Sequence, residues 1–301
     1  MCWYSAGRLL CPPRETGVGL LFKWYTSFFM RKKNQKFIGV FDSGFGGLNI
    51  LREIVKELPQ YNYMYYGDSA RAPYGSRSKE LIYQFTKEAV EFMFSKNCEL
   101  VILACNTASS DALRKIQQEY LIQNHLNKRV LGVLIPSAEE AVVKTKNKKV
   151  GVIATEGTVA SEAFVREIHK LNSDIKIFQK GCPLLVPIVE YGESNTKISQ
   201  MALEKYLQPL IQKKIDTLIL GCTHYGVFEK QIKKIVGKKV AIISGEKIIP
   251  KKVKQYLEKH SNLEKKLVRE GIIHFYSSDL TERFAQMGSD FFGRKIEVEK
   301  K

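Results

Sequence analysis

The chain has 301 residues, 44% of them apolar, and a formal net charge of +17. That length suggests about two domains with ordinary cores. The basic excess is mostly lysine spread along helical faces such as 230–239 and 247–266. It comes without zinc spacing, an aromatic-basic RNA signature or a basic recognition helix, so it reads as solvated surface and argues against a specific nucleic-acid partner.

The six cysteines form no C-x-x-C pair and no disulfide framework, which points to free thiols in a reducing cytoplasm. Cys98 and Cys182 read as small buried hydrophobes.

Residues 1–35 differ in character from the rest of the chain. The apolar runs at 18–22 and 24–30 are interrupted by Lys23 and fall short of the ~20 residues of a membrane span. They read as a poorly ordered extension, with a signal or transit peptide as the alternative. Met30-Arg31-Lys32-Lys33 leads directly into the first strand.

Phe37–Phe41 has the pattern of a buried strand and is followed by Asp42-Ser43-Gly44-Phe45-Gly46-Gly47. Leu48, Leu51, Ile54, Val55 and Leu58 then recur at helical spacing up to Pro59. A strand, a glycine-rich turn and a helix can present backbone N–H groups to an anion. The glycines do not fit G-x-G-x-x-G and no Walker lysine is present, so a carboxylate suits this turn as well as a nucleotide.

Tyr63–Tyr66 is the next strand, 69–78 a polar loop with Pro73-Tyr74-Gly75, and Lys79–Lys96 a helix. Leu100–Ala104 runs into Cys105-Asn106-Thr107, after which Ser109, Ser110 and Asp111 are candidate caps for a helix carrying Leu113, Ile116 and Leu121. Further strands are expected at Val130–Ile135, Val150–Ile153, Ile175–Phe178, Leu218–Gly221, Val240–Ser244 and Ile272–Tyr276. Helices are expected at Ser161–Leu171, around Phe228–Val236 and at Leu280–Met287. Strands alternating with helices imply parallel sheets with ligands at the strands' carboxyl ends.

The chain also repeats itself. Cys105 and Cys222 are 117 positions apart (222 − 105), as are Gly75 and Gly192, each of which closes a Tyr-Gly pair. Gly67 matches Gly181 at an offset of 114, and Lys36–Val40 matches Lys148–Val152 at 112. An offset that drifts by small steps is what loop insertions in two duplicated halves produce. The expected fold is therefore α/β: two similar, pseudo-symmetric domains with mostly parallel sheets and a site in the cleft between them. The boundaries read as 36–128 plus 246–301 for the first domain and 129–245 for the second.

Such a cleft would bring Cys105 and Cys222 to opposite faces of a small molecule. One thiolate could take a proton from a stereocentre while the other, as thiol, delivers one. A free thiol near pKa ~8.5 is only a few percent ionised at neutrality, so it needs help. The helpers differ between halves. His224 stands two residues past Cys222 where Thr107 stands in the other half, and Asp42 corresponds to Ala154. Glu190 is a third candidate. Asp42 could instead cap the following helix, and His224 could be purely structural.

Asp42-Ser43-Gly44-Phe45-Gly46-Gly47, Tyr66-Gly67-Asp68 with Pro73-Tyr74-Gly75, Ala104-Cys105-Asn106-Thr107-Ala108, and Gly221-Cys222-Thr223-His224-Tyr225 together resemble glutamate racemase. The resemblance runs from about Lys36 to Gly293. It implies interconversion of L- and D-glutamate without cofactor or metal, supplying D-glutamate for peptidoglycan, often by a homodimer. It further implies that Cys105 and Cys222 are the proton donors and acceptors, and that Glu190 is an auxiliary acid. Asp42, Ser43, Tyr74, Gly75, Asn106, Thr107, Thr223 and His224 match the family's substrate contacts. Ile243-Ser244-Gly245-Glu246 departs from the Asp-Ser-Ala-Glu of many members. A hydrolase or lyase with one nucleophilic cysteine, and a basic binding protein on a racemase scaffold, are the competing readings.

Overall fold

The computed structural model describes residues 35–301. The extension read at 1–35 lies, except for its last residue, outside the described residues.

β1 (Phe37–Asp42), β2 (Tyr63–Gly67) and β3 (Cys98–Leu103) are buried along their whole length, as strands covered on both faces must be. Between them run α1 (Leu48–Glu57), which buries Leu48, Ile50, Leu51 and Ile54, and α2 (Lys79–Ser95), capped by the Ser78 hydroxyl accepting from Leu81 N. α3 (Asn106–Asp111) starts directly after Cys105. Cys105 is itself the cap, its Sγ accepting from Ala108 N at 3.5 Å. Ser109, Ser110 and Asp111, expected as caps, therefore lie inside the helix.

β4 (Arg129–Gly132) pairs parallel with β3, and α4 (Leu134–Lys144) comes next. β4 thus extends the first sheet, and the strand read at Val130–Ile135 stops at Gly132 because Leu134 already begins α4. α4 buries Leu134, Ala138 and Ala141 in one cluster with residues of the second sheet.

The second half repeats the order with β5 (Lys149–Ala154), α5 (Glu156–Ala160), α6 (Ala163–Leu171), β6 (Lys176–Gly181), α7 (Leu185–Glu190), α8 (Lys197–Gln212), β7 (Thr217–Gly221), α9 (Glu229–Val236) and β8 (Ala241–Ser244). The single helix expected at Ser161–Leu171 begins only at Ala163, because Glu162 takes a left-handed backbone (φ 53°) that separates it from α5.

α10 (Gly245–Lys259) buries Ile249, Val253 and Leu257 in the cluster that holds α1. β9 (Ile273–Ser277), α11 (Glu282–Phe292) and β10 (Val298–Lys300) complete the described chain. α11 begins two residues later than expected, since Thr281 caps it by accepting from Phe284 N at 3.1 Å.

The strands form a six-stranded sheet, β10-β9-β2-β1-β3-β4, and a four-stranded sheet, β6-β5-β7-β8. Every described pairing is parallel. Four strands of each sheet share one order, so β1, β2, β3 and β4 correspond to β5, β6, β7 and β8. Among the described residues no helix is long and apolar enough to cross a membrane.

Candidate active site

The residues singled out in the sequence gather at the carboxyl ends of the strands, where parallel α/β sheets place ligands. Ser43 follows β1, Tyr74 and Gly75 follow β2, Cys105, Asn106 and Thr107 follow β3, and Cys222, Thr223 and His224 follow β7. With Glu190 at the end of α7 they line one cavity of about 30 Å³. Asp42 lies beneath it, fully buried.

Cys105 is buried and Cys222 half-buried. Ser43 Oγ lies 3.4 Å from Cys105 Sγ. Burial, followed by the nearby Asp42 carboxyl, pushes the Cys105 thiol up to about 12, against the pull of Ser43 and the Ala108 N–H. Cys105 is thus held as a thiol.

The other side differs in kind. His224 Nδ1 is 3.8 Å from Cys222 Sγ, and its Nε2 is 3.4 Å from Glu190 Oε1. The Glu190 contact is not aligned as a hydrogen bond, and Nε2 is buried without a partner. The ring is held edge-on by Phe45 and Phe291, with centroids at 5.3 and 6.0 Å. Burial pulls the imidazole down, but Cys222, Glu190 and Asp42 outweigh it and raise His224 to about 10.

His224 should accordingly titrate near pH 10 instead of near its ordinary 6.5. A raised folded-state pKa gives stability that is full below the unfolded value and disappears as pH climbs through the folded one. The urea stability of wild type over His224→Gln is expected to be widest below pH 6.5 and to narrow toward pH 10. A ring resonance titrating near 6.5 would contradict this arrangement.

Asp42 accepts from Gly44 N at 3.0 Å with one oxygen and from the Thr223 hydroxyl at 3.2 Å with the other. Burial raises its pKa, opposed by His224 and these donors. Tyr65 fixes the same turn by donating to the Gly44 carbonyl at 2.9 Å.

Across the cavity Thr107 Oγ1 is 2.9 Å from Thr155 Oγ1 and 3.2 Å from Thr158 Oγ1. The loops meet backbone to backbone here. A Cβ on Gly157 would come within 2.9 Å of the Gly75 carbonyl oxygen, and one on Gly75 within 2.6 Å of Thr155 Cβ.

Tyr74 is held from behind. Its hydroxyl donates to Asp68 Oδ2 at 2.5 Å, and Arg71 Nε donates to the same oxygen at 2.7 Å. Arg71 also reaches Glu88 at 2.5 Å and stacks over Phe85 at 4.1 Å.

The family model described as Asp/Glu/Hydantoin racemase matches residues 38–251, a span that contains both thiols. The chain belongs to this racemase family. Among its relatives is the glutamate racemase of Geobacter metallireducens, 36% identical over 261 residues, covering 87% of this chain and 94% of that one. A glutamate racemase isoform of Bacillus anthracis superposes with a TM-score of 0.81 at 34% identity, covering 89% of this chain and 98% of that one. The Francisella tularensis glutamate racemase, solved with D-glutamate, gives 0.79 at 31% identity, with 89% and 97% covered.

Within this racemase scaffold one polar lining residue not singled out from the sequence completes the cavity wall. Thr155 faces the cavity, and the repeat could have found it: at the offset of 112 it is the counterpart of Ser43. The Asp68–Arg71 support behind Tyr74 has no such signal, since nothing in the sequence says that the two share an oxygen.

Proposed function

We propose that this racemase-family chain interconverts L- and D-glutamate by proton transfer at Cα, with Cys105 and Cys222 as the two acid/base groups. The observation that carries the reading is two thiols at corresponding strand ends lining one cavity. One thiolate removes the Cα proton. The carboxylate then bears the resulting charge, and the opposite thiol protonates the other face. Asp42 stands beside Cys105 and keeps it protonated as the donor thiol, and His224 with Glu190 serves Cys222. Ser43, Tyr74, Gly75, Asn106, Thr107 and Thr223 supply the polar surface that orients the substrate. A single-nucleophile hydrolase would leave the second thiol without a task.

The cavity of about 30 Å³ has room for roughly two waters at the ~10–15 Å³ each needs. Glutamate is larger, so entry requires the two halves to part and closure then excludes water from the carbanion. The reading extends to two domains hinged at the crossovers near Gly132 and Ser244. It also includes a homodimer in the cytoplasm that supplies D-glutamate to peptidoglycan. Family likeness supports these last points, and the free thiols Cys98, Cys105, Cys182 and Cys222 support the reducing compartment alone.

The test is incubation of each enantiomer of glutamate and aspartate in deuterated buffer, following Cα exchange and optical rotation. Exchange and decay to an equal mixture are expected with glutamate. Exchange with aspartate alone would replace the substrate, and none with either would overturn the reading.

A further inference from the structure

The two-thiol reaction leaves the protein in a different state from the one in which it began. When Cys222 thiolate takes the Cα proton it becomes a thiol, and Cys105, having given its proton, becomes a thiolate. The next turnover in the same direction requires Cys222 to lose a proton and Cys105 to gain one. At the front of the site the path from Cys222 passes through His224, whose Nε2 is buried without an aligned hydrogen bond although Glu190 Oε1 lies 3.4 Å away.

The back of the site is built differently. Cys222 and Thr223 line the active cavity and also wall a second chamber of about 10 Å³, roughly the room for one water. Ser244, Gly226 and Glu246 close its far side. Glu246 borders in turn an open groove of about 610 Å³ between α1 and α10, flanked by Arg52, Lys56, Lys247 and Lys251. One carboxyl thus faces the thiol's chamber on one side and solvent on the other.

The carboxyl's place is specified by its neighbours. Ser244 Oγ donates to Glu246 Oε1 at 3.3 Å. A methyl group at Gly226 would overlap the same oxygen, so the glycine leaves the space the carboxyl fills. The charges facing it are Arg52 from α1, Glu229 from α9 and Lys247 on its own helix. Burial, followed by Glu229, raises its pKa, opposed by Arg52, the Ser244 hydroxyl and Lys247.

We propose that Glu246 is a proton relay that resets Cys222 between turnovers, passing its proton through the rear chamber to solvent in the groove between α1 and α10. The proposal rests on the two-thiol reading. The proton leaves Cys222 Sγ for the chamber water, the water gives one to the Glu246 carboxylate, and the carboxyl releases it to bulk water. Solvent supplies the compensating proton to Cys105 when the cleft is open.

Glu246→Gln keeps the shape and removes the exchangeable proton. It is expected to lower kcat about tenfold in both directions while kcat/KM stays within about twofold, because reset falls outside the steps from free enzyme to transition state. A labelled racemic tracer should be driven further from equilibrium by excess unlabelled L-glutamate in this variant than in wild type. Glu246→Asp should restore most of kcat. Equal losses in kcat and kcat/KM would show that Glu246 merely supports the Cys222 turn and overturn the relay, as would no change in either. Should Glu246→Gln not fold, Ser244→Ala is read in the same way. A wild type that does not racemise overturns both readings, whereas a racemising wild type with an unaffected variant overturns the relay alone.

Discussion

Cys105→Ser and Cys222→Ser are each expected to abolish inversion of glutamate in both directions, by at least about 10³-fold, or ~4 kcal/mol of barrier. A serine hydroxyl is too weak an acid to replace a thiol at either face. The more informative outcome is what survives. A protein with one thiol still has one face at which a proton can leave and return, so each variant should retain slow Cα exchange without inversion. The two variants should do so with opposite enantiomers. Their environments also set unequal residual rates: Cys105 is held as a thiol near 12 beside buried Asp42, whereas Cys222 has the raised His224 at 3.8 Å. Exchange of both enantiomers by either single variant, or undiminished inversion, would defeat the two-base scheme.

Arg71→Met is expected to cost about 3 kcal/mol of stability and to raise KM for glutamate several-fold. Asp68 is fully buried, and its Oδ2 accepts from both Arg71 and Tyr74. Removing the guanidinium leaves a buried carboxylate with too few partners, which typically costs ~3–5 kcal/mol; Arg71, a quarter exposed, belongs at the low end. The effect on KM arises because Tyr74 and Gly75 form the cavity wall that Asp68 anchors. Urea denaturation measures the first effect and steady-state kinetics the second. Adding Asp68→Asn to Arg71→Met should recover part of the stability, since it removes the stranded charge. A double variant less stable than Arg71→Met by the full cost of a second independent defect would count against the buried pair.

Much of this arrangement is legible in the chain itself. Parallel strands covered on both faces are largely apolar, so β1, β7 and the part of β3 after Glu99 stand out as runs, each ending on the polar residues that reach the cavity. The repeat carries more than composition does, because duplicated sheets of one strand order put Cys105 and Cys222 at corresponding ends. β4 differs from expectation for a physical reason. A short apolar run does not say where the strand stops, and β4, of which only Val130 is buried, ends at Gly132 just before Leu134 begins α4. The cap on α3 reads from sequence as one of the serines because thiols are unusual at that position, although Cys105 occupies it. Glu246 is marked in the sequence only as the end of Ile243-Ser244-Gly245-Glu246; its place comes from Ser244 two residues before it and from Gly226 arriving beside it from the turn after β7.

The order of the strands also has a consequence for how the chain is made. In the six-stranded sheet β2 lies between β1 and β9, and β9 is synthesised only after every strand of the four-stranded sheet. On the ribosome the second half can close its sheet first, while β2 waits with an unpaired edge of the kind that recruits foreign strands. Nascent chains stalled just before β9 should therefore be more prone to aggregate than chains released after β10, and the last strands act as the stitch that ends this exposure.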